Sequence, residues 1–217
     1  MSHEGDRLMR RLYFELKNQR LYFFVPPFVL FALVPLSVLA GPQGTDPSFS
    51  QCVTLSQLFI PSFAAWWPLF VLKERHSSPA RELLVVHRSS RAELLSRMIA
   101  LWALYVLLAA VVFVYFASLF GFVWYLFAAV AAQCMFMIAL GYSLSLLLQN
   151  TFIPLIVNFA YSSIFMLAVL DSPLSIFTIG TFSDAGSLVK PATVAAVAIV
   201  LLLVGYQAER RLYRRSM

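Results

Sequence analysis

The chain of 217 residues is 61% hydrophobic with a mean hydropathy of +0.81, while Asp, Glu, Lys and Arg make up only 12%. Soluble domains hold roughly 45–50% apolar and about 25% charged residues, so this composition excludes an ordinary water-soluble fold. The net charge of +6 needs no nucleic acid to explain it, because the basic residues gather at the edges of apolar runs.

In chain order, GDRLMRRLYFELKNQR comes first, with Leu8, Leu12 and Leu16 at i, i+4 spacing and Arg7, Arg10 and Arg11 between them. Residues 1–20 read as a helix lying in the cytoplasmic interface, or as the start of the first span. No small-residue cleavage pattern follows the first apolar run, so a cleavable signal peptide is not expected. Apolar runs near twenty residues cross a ~30 Å hydrocarbon core at 1.5 Å per residue. They are continuous rather than alternating, which excludes a β-barrel. The expected fold is an all-α membrane protein: one transmembrane domain over 21–217, with spans at about 21–40, 52–72, 98–120, 122–148, 152–170 and 191–208. The third and fourth come from the uncharged stretch 98–148, too long for one crossing, with a turn predicted at Phe120-Gly121-Phe122. Pro26, Pro27, Pro35, Pro61 and Pro68 predict kinks or static bends. Between spans five and six, residues 171–190 (DSPLSIFTIGTFSDAGSLVK) are apolar for an exposed loop. They read as a re-entrant or interfacial segment, or as a loop packed on the helix ends.

Fifteen of the 16 Lys and Arg fall before span one, between spans two and three, or after span six, and only Lys190 lies on the other side. The positive-inside bias predicts cytoplasmic termini and a cytoplasmic 73–97 loop. The closing ERRLYRR adds a patch for anionic lipid headgroups. Cys52 and Cys134 are too few for a disulfide framework and read as packing residues.

The 73–97 loop, KERHSSPARELLVVHRSSRAELLSR, is punctuated rather than slack. Ser78-Pro79 is a helix start, a capping hydroxyl followed by proline at the first position. The helix predicted over 79–88 places Ala80, Leu83, Leu84 and His87 on one face and Arg81 and Arg88 on another. Ser90-Arg91-Ala92-Glu93 is a capping box that opens a second helix leading into span three. Ten helical residues are marginal alone in water, so Leu83 and Leu84 need a surface, either the membrane interface or a cytoplasmic partner.

Glu74, the Arg81-Glu82-Leu83-Leu84 run, and Ser89-Ser90-Arg91-Ala92-Glu93-Leu94-Leu95 leading to Arg97 resemble the loop between helices two and three of ABC-2 type permeases, the membrane subunits of ATP-binding-cassette exporters. The layout of interfacial helix, six spans and apolar segment before the last span is similar too. Two positions depart from the family pattern: His76-Ser77-Ser78-Pro79 stands where a Gly is common, and Arg88 where the turn often has Pro. The resemblance implies a multi-pass protein of a bacterial-type plasma membrane. It makes the 79–88 helix a coupling helix, with Glu74, Arg81, Glu82, Leu83, Leu84, His87 and Arg88 facing an ATPase subunit. It also implies a second permease copy, identical or related. Cofactors bound by this chain are not expected; ATP and Mg belong to the partner, since the chain has no G-x-x-x-x-G-K-[ST] and cannot hydrolyse ATP itself.

No Asp, Glu, Lys, Arg or His falls inside the spans as drawn, which disfavours an ion-coupled carrier. His3, His76 and His87 show no metal spacing, and H-E-x-x-H and G-x-S-x-G are absent, so neither a metal site nor an enzyme is expected. The polar residues at depth are Gln133, Asn158, Tyr161, Ser162 and Ser163, read either as interhelical hydrogen-bond partners or as lining of a substrate pathway. The expected function is export of a hydrophobic or amphipathic cargo such as a lipid, peptide or drug. The alternative is a membrane scaffold without transport activity.

Overall fold

The computed structural model describes residue 17 and residues 19–40, 49–77, 91–121, 123–167, 175–177 and 189–215. Among them there is no strand, and five helices are long and apolar enough to cross a membrane. Helix α1 (Leu21–Leu39) is followed by α2 (Phe49–Ala64) and α3 (Trp66–Ser77), which form one continuous apolar rod over Phe49–Lys73. Then come α4 (Arg91–Phe120), α5 (Trp124–Leu148), α6 (Phe152–Leu167) and α7 (Val189–Arg215). Helix α6, at the expected fifth span, has 16 described residues, about 24 Å of helix and short of a full crossing. The interfacial helix expected over 1–20, the coupling helix over 79–88 and most of 171–190 lie outside the described residues.

Proline accounts for the irregular course of α1. Its backbone passes from a 3-10 turn at Arg20–Phe24 through α-helix at Val25–Phe28 to a wide π stretch at Val29–Leu33, and back to α-helix at Val34–Leu39. Pro35 lies two residues past the end of the π stretch, after Val34, and its missing N–H and bulky ring forbid a regular α turn there. Pro26 and Pro27 likewise cannot donate to the carbonyls of Tyr22 and Phe23. Both carbonyls accept from indole N–H groups, those of Trp66 and Trp67, each at 3.1 Å, and that of Tyr22 accepts from the Val25 N–H as well. Ring stacking backs the pair, Tyr22 on Phe70 at 4.9 Å and Phe23 on Trp67 at 5.4 Å. Pro68 interrupts the rod at Ala65, between α2 and α3.

The turn between α4 and α5 falls at Gly121, whose φ of +80° lies in the left-handed region that glycine adopts without strain. Helix α5 ends on Gln149, also left-handed at φ 49°. Asn150 then caps α6, its Oδ1 accepting from the N–H groups of Phe152 at 2.8 Å and Ile153 at 3.2 Å.

Helix α5 is the axis of the bundle. Of its apolar window 72% is buried, and 67% of the Phe49–Lys73 window, against 28% for α1 and α7 and 33% for α4. The outer helices therefore turn rows such as Leu107, Val111 and Val114, or Val200, Leu203 and Val204, outward, as lipid-facing surfaces do. The helices also run past the span edges drawn from sequence and carry charges at their ends. Arg97 and Glu209 fall within the apolar helices Leu94–Phe120 and Val189–Arg210, and are only 6% and 4% exposed. Both were placed outside because a span drawn on hydropathy stops at the first charge, whereas burial follows from what packs around it.

Candidate functional site

Among the described residues, loop backbone enters the core between α2, α5, α6 and α7. Gln57 on α2 and Gln133 on α5 are fully buried and joined, the Nε2 of Gln133 donating to the Oε1 of Gln57 at 2.7 Å. The same Nε2 donates to the carbonyl of Ile176 at 3.1 Å. Ile176 belongs to the short irregular segment Ser175–Phe177, which is buried throughout, Phe177 completely. The N–H of Phe177 donates to the hydroxyl of Ser175 at 3.3 Å, and its carbonyl accepts from the ammonium of Lys190 at the start of α7. Tyr161 on α6 completes the enclosure: its hydroxyl reaches the backbone of Ile176, and its ring lies 6.3 Å from that of Phe177. Among the described residues, the bonds of this tripeptide are thus made by side chains from separate helices and by its own serine.

One helical turn from Gln133, the carbonyl of Met137 accepts from the Nδ2 of Asn158 at 3.1 Å. Helix α6 approaches closely there, since a Cβ built on Gly141 would meet Asn158 at 3.2 Å and Ala65 at 3.5 Å. Ser162 follows Asn158 by one turn on the same face of α6 and is 1% exposed. Three buried oxygens around this seam have no hydrogen-bond partner: Oε1 of Gln133, Oδ1 of Asn158 and Oγ of Ser162. Two are pure acceptors and the third accepts as well as donates, so the seam offers more acceptors than donors. Leaving each unmet costs about 1–3 kcal/mol, so the arrangement calls for N–H or O–H groups from elsewhere.

Four residues expected at depth, Gln133, Asn158, Tyr161 and Ser162, are thereby gathered at one α5–α6 seam, while Ser163 faces outward. Of the residues expected to face an ATPase, Glu74 lies in the last turn of α3, and Arg81, Glu82, Leu83, Leu84, His87 and Arg88 lie outside the described residues. Sequence reasoning missed Gln57 and the inward reach of Lys190. Gln57 carried a usable signal, a second long amide within an apolar span. Lys190 did too, as the lone cation on its side of the membrane.

A second polar contact sits at the other end of α5. The hydroxyl of Tyr142 donates to Glu209 of α7 at 3.2 Å, and that of Ser143 to the carbonyl of Leu201 at 2.6 Å. Among the described residues no group of three or more His, Cys, Asp and Glu is placed to hold a metal ion. No protein-family profile, no curated protein and no solved structure matches this chain.

Proposed function

We propose that this chain is the membrane-spanning subunit of an ATP-binding-cassette exporter of the ABC-2 permease type, moving a hydrophobic or amphipathic cargo with energy from a separate ATPase subunit. The observation that carries the reading is the framing of the 78–90 loop. Helix α3 runs unbroken through Lys73 to Ser77, and α4 begins at Arg91, directly after the predicted cap Ser90. A displacement of that loop is therefore delivered to two stiff helices, with no slack segment on either side. Both lead to the core: Trp67 of α3 bonds α1, and the hydroxyl of Tyr105 on α4 donates to the carbonyl of Ile60 on α2 at 2.8 Å. Closure of the ATPase on Leu83 and Leu84 would move α3 and α4 as levers against α2 and α5.

The proposal counts six crossings, with α6 as the short fifth. Helices α5 and α7 run in the same direction, because Gln133 and Lys190 meet the Ser175–Phe177 segment while Tyr142 meets Glu209 further along. The chain must return between them, and α6 lies antiparallel to α5, with Asn158 at Met137 and Tyr161 5.7 Å from Phe136. An even number of crossings leaves the 78–90 loop and both ends of the chain on one side, which the basic residues make the cytoplasmic face of the plasma membrane. Two copies, or this chain and a relative, would pair with two ATPases.

Purified from its native membrane, the chain should carry ATP hydrolysis with it. Replacing Leu83→Asp and Leu84→Asp together should cut that hydrolysis by roughly tenfold or more, as expected when two interface anchors worth about 1–2 kcal/mol each become charges. Helix content and membrane insertion should not change. Undiminished hydrolysis in the double variant, or none with the unaltered chain, overturns the reading and favours a scaffold.

A further inference from the structure

The Ser175–Phe177 segment is bound as a ligand is bound. Among the described residues, side chains of three helices meet its peptide groups. Gln133 holds the carbonyl of Ile176, Lys190 holds that of Phe177, and Tyr161 reaches the Ile176 backbone. The Phe177 ring is wholly buried, 6.3 Å from that of Tyr161. Gln133, which meets the tripeptide, keeps an oxygen without a partner, and so do Asn158 and Ser162 further along the same α5–α6 seam, each residue 1% exposed. They make a surplus of acceptors that three residues of backbone do not use. Amide N–H groups of a longer extended peptide are the donors such a surface would accept.

We infer that the seam between α5, α6 and α7 is a binding site for an extended apolar peptide, occupied in this structure by the chain's own Ser175-Ile176-Phe177. A monovalent cation fits less well, because the Lys190 ammonium already sits on the carbonyl next to Ile176, and like charges at that range repel strongly in a low-dielectric interior. A purely hydrocarbon ligand fits less well too, since it would leave the acceptors of Gln133 and Asn158 unmet. The inference sharpens the cargo of the transport reading and rests on that reading for its biological meaning. Binding itself needs neither ATP nor a partner chain.

The probe is the segment's own sequence as a capped peptide, acetyl-Ser-Ile-Phe-amide, titrated calorimetrically against the full chain in lipid nanodiscs. In the unaltered chain the site is filled and apparent affinity is reduced by the small fraction that is open. Phe177→Ala weakens the internal occupant and frees the ring pocket, so the probe should bind about tenfold tighter or better. Adding Gln133→Leu should abolish that gain while circular dichroism and elution volume stay unchanged. Should Phe177→Ala fail to fold, the milder Phe177→Val weakens the same ring contact of the internal segment and should tighten binding in the same direction. If neither variant binds the probe more tightly, or if Gln133→Leu leaves the gain intact, the inference is wrong and the orphan oxygens are met by water. Because the assay contains no ATPase, its failure leaves the exporter reading standing, and failure of the co-purified hydrolysis leaves the binding result standing.

Discussion

Two contacts in this molecule, α7 on α5 and α1 on α3, hold helices together by opposite means. Lipid supplies no hydrophobic drive between helices, so each contact relies on close packing or on hydrogen bonds. At α7 the answer is shape. Gly205 brings the backbone so close to α5 that a Cβ would lie 2.5 Å from two ring carbons of Tyr142 and 3.0 Å from the Ser143 hydroxyl. At α1 the answer is uncovered backbone, with prolines exposing carbonyls and tryptophans bonding to them. The first contact is rigid because nothing can be added to it. The second is adjustable, because side-chain tips from α3 meet a helix that changes its winding several times.

The difference predicts unequal sensitivity, and the α5–α7 contact should break first. Gly205→Ala places a methyl group against a buried ring that has no free space to turn into. It should cost about 1–3 kcal/mol, read as a lowered unfolding temperature in detergent, with Gly205→Leu worse still. A neutral result for alanine would mean that α7 moves away from α5 without penalty, and the contact would no longer count as rigid.

Next in size is the hydroxyl at the same contact. Tyr142→Phe keeps the ring that meets Gly205 and removes the bond to Glu209. A bond to a buried carboxylate should be worth about 1–2 kcal/mol, above the ~0.6 kcal/mol average measured for interhelical bonds in membranes. Unfolding measured beside Gly205→Ala separates shape from hydrogen bonding at one position. If Tyr142→Phe proves the costlier of the two, the contact depends on its acid more than on its close approach.

How far the sequence shows all this depends on distance along the chain. The five long apolar helices and the break at Gly121 are local matters of run length and backbone freedom, and 51 uncharged residues over 98–148 cannot be one crossing. The amides Gln133 and Asn158 stood out as polar residues in apolar surroundings. Their arrangement did not, because Gln57 and Gln133 are 76 residues apart, and nothing within either span tells which side chain will face which helix. Span edges drawn at charges hid the burial of Arg97 and Glu209 for the same reason. The prolines of α1 were visible as kinks, but the identity of the groups that would take up their orphaned carbonyls required the orientation of α3.

That last dependence yields the smallest and most discriminating effect. Trp67→Phe retains an aromatic ring near Phe23, where the stack is nearly parallel at 11°, and deletes the indole N–H that reaches the Phe23 carbonyl. The expected loss is about 0.6 kcal/mol, near the average for interhelical bonds in membranes. Pro27→Ala provides the control, since the new backbone N–H at position 27 can bond the Phe23 carbonyl from within α1. In that background Trp67→Phe should be almost neutral, because the carbonyl no longer needs the indole. A double-mutant cycle on thermal unfolding measures the coupling directly. Equal losses in both backgrounds would show that Trp67 acts through ring packing alone, and the two helix contacts would then differ in degree rather than in kind.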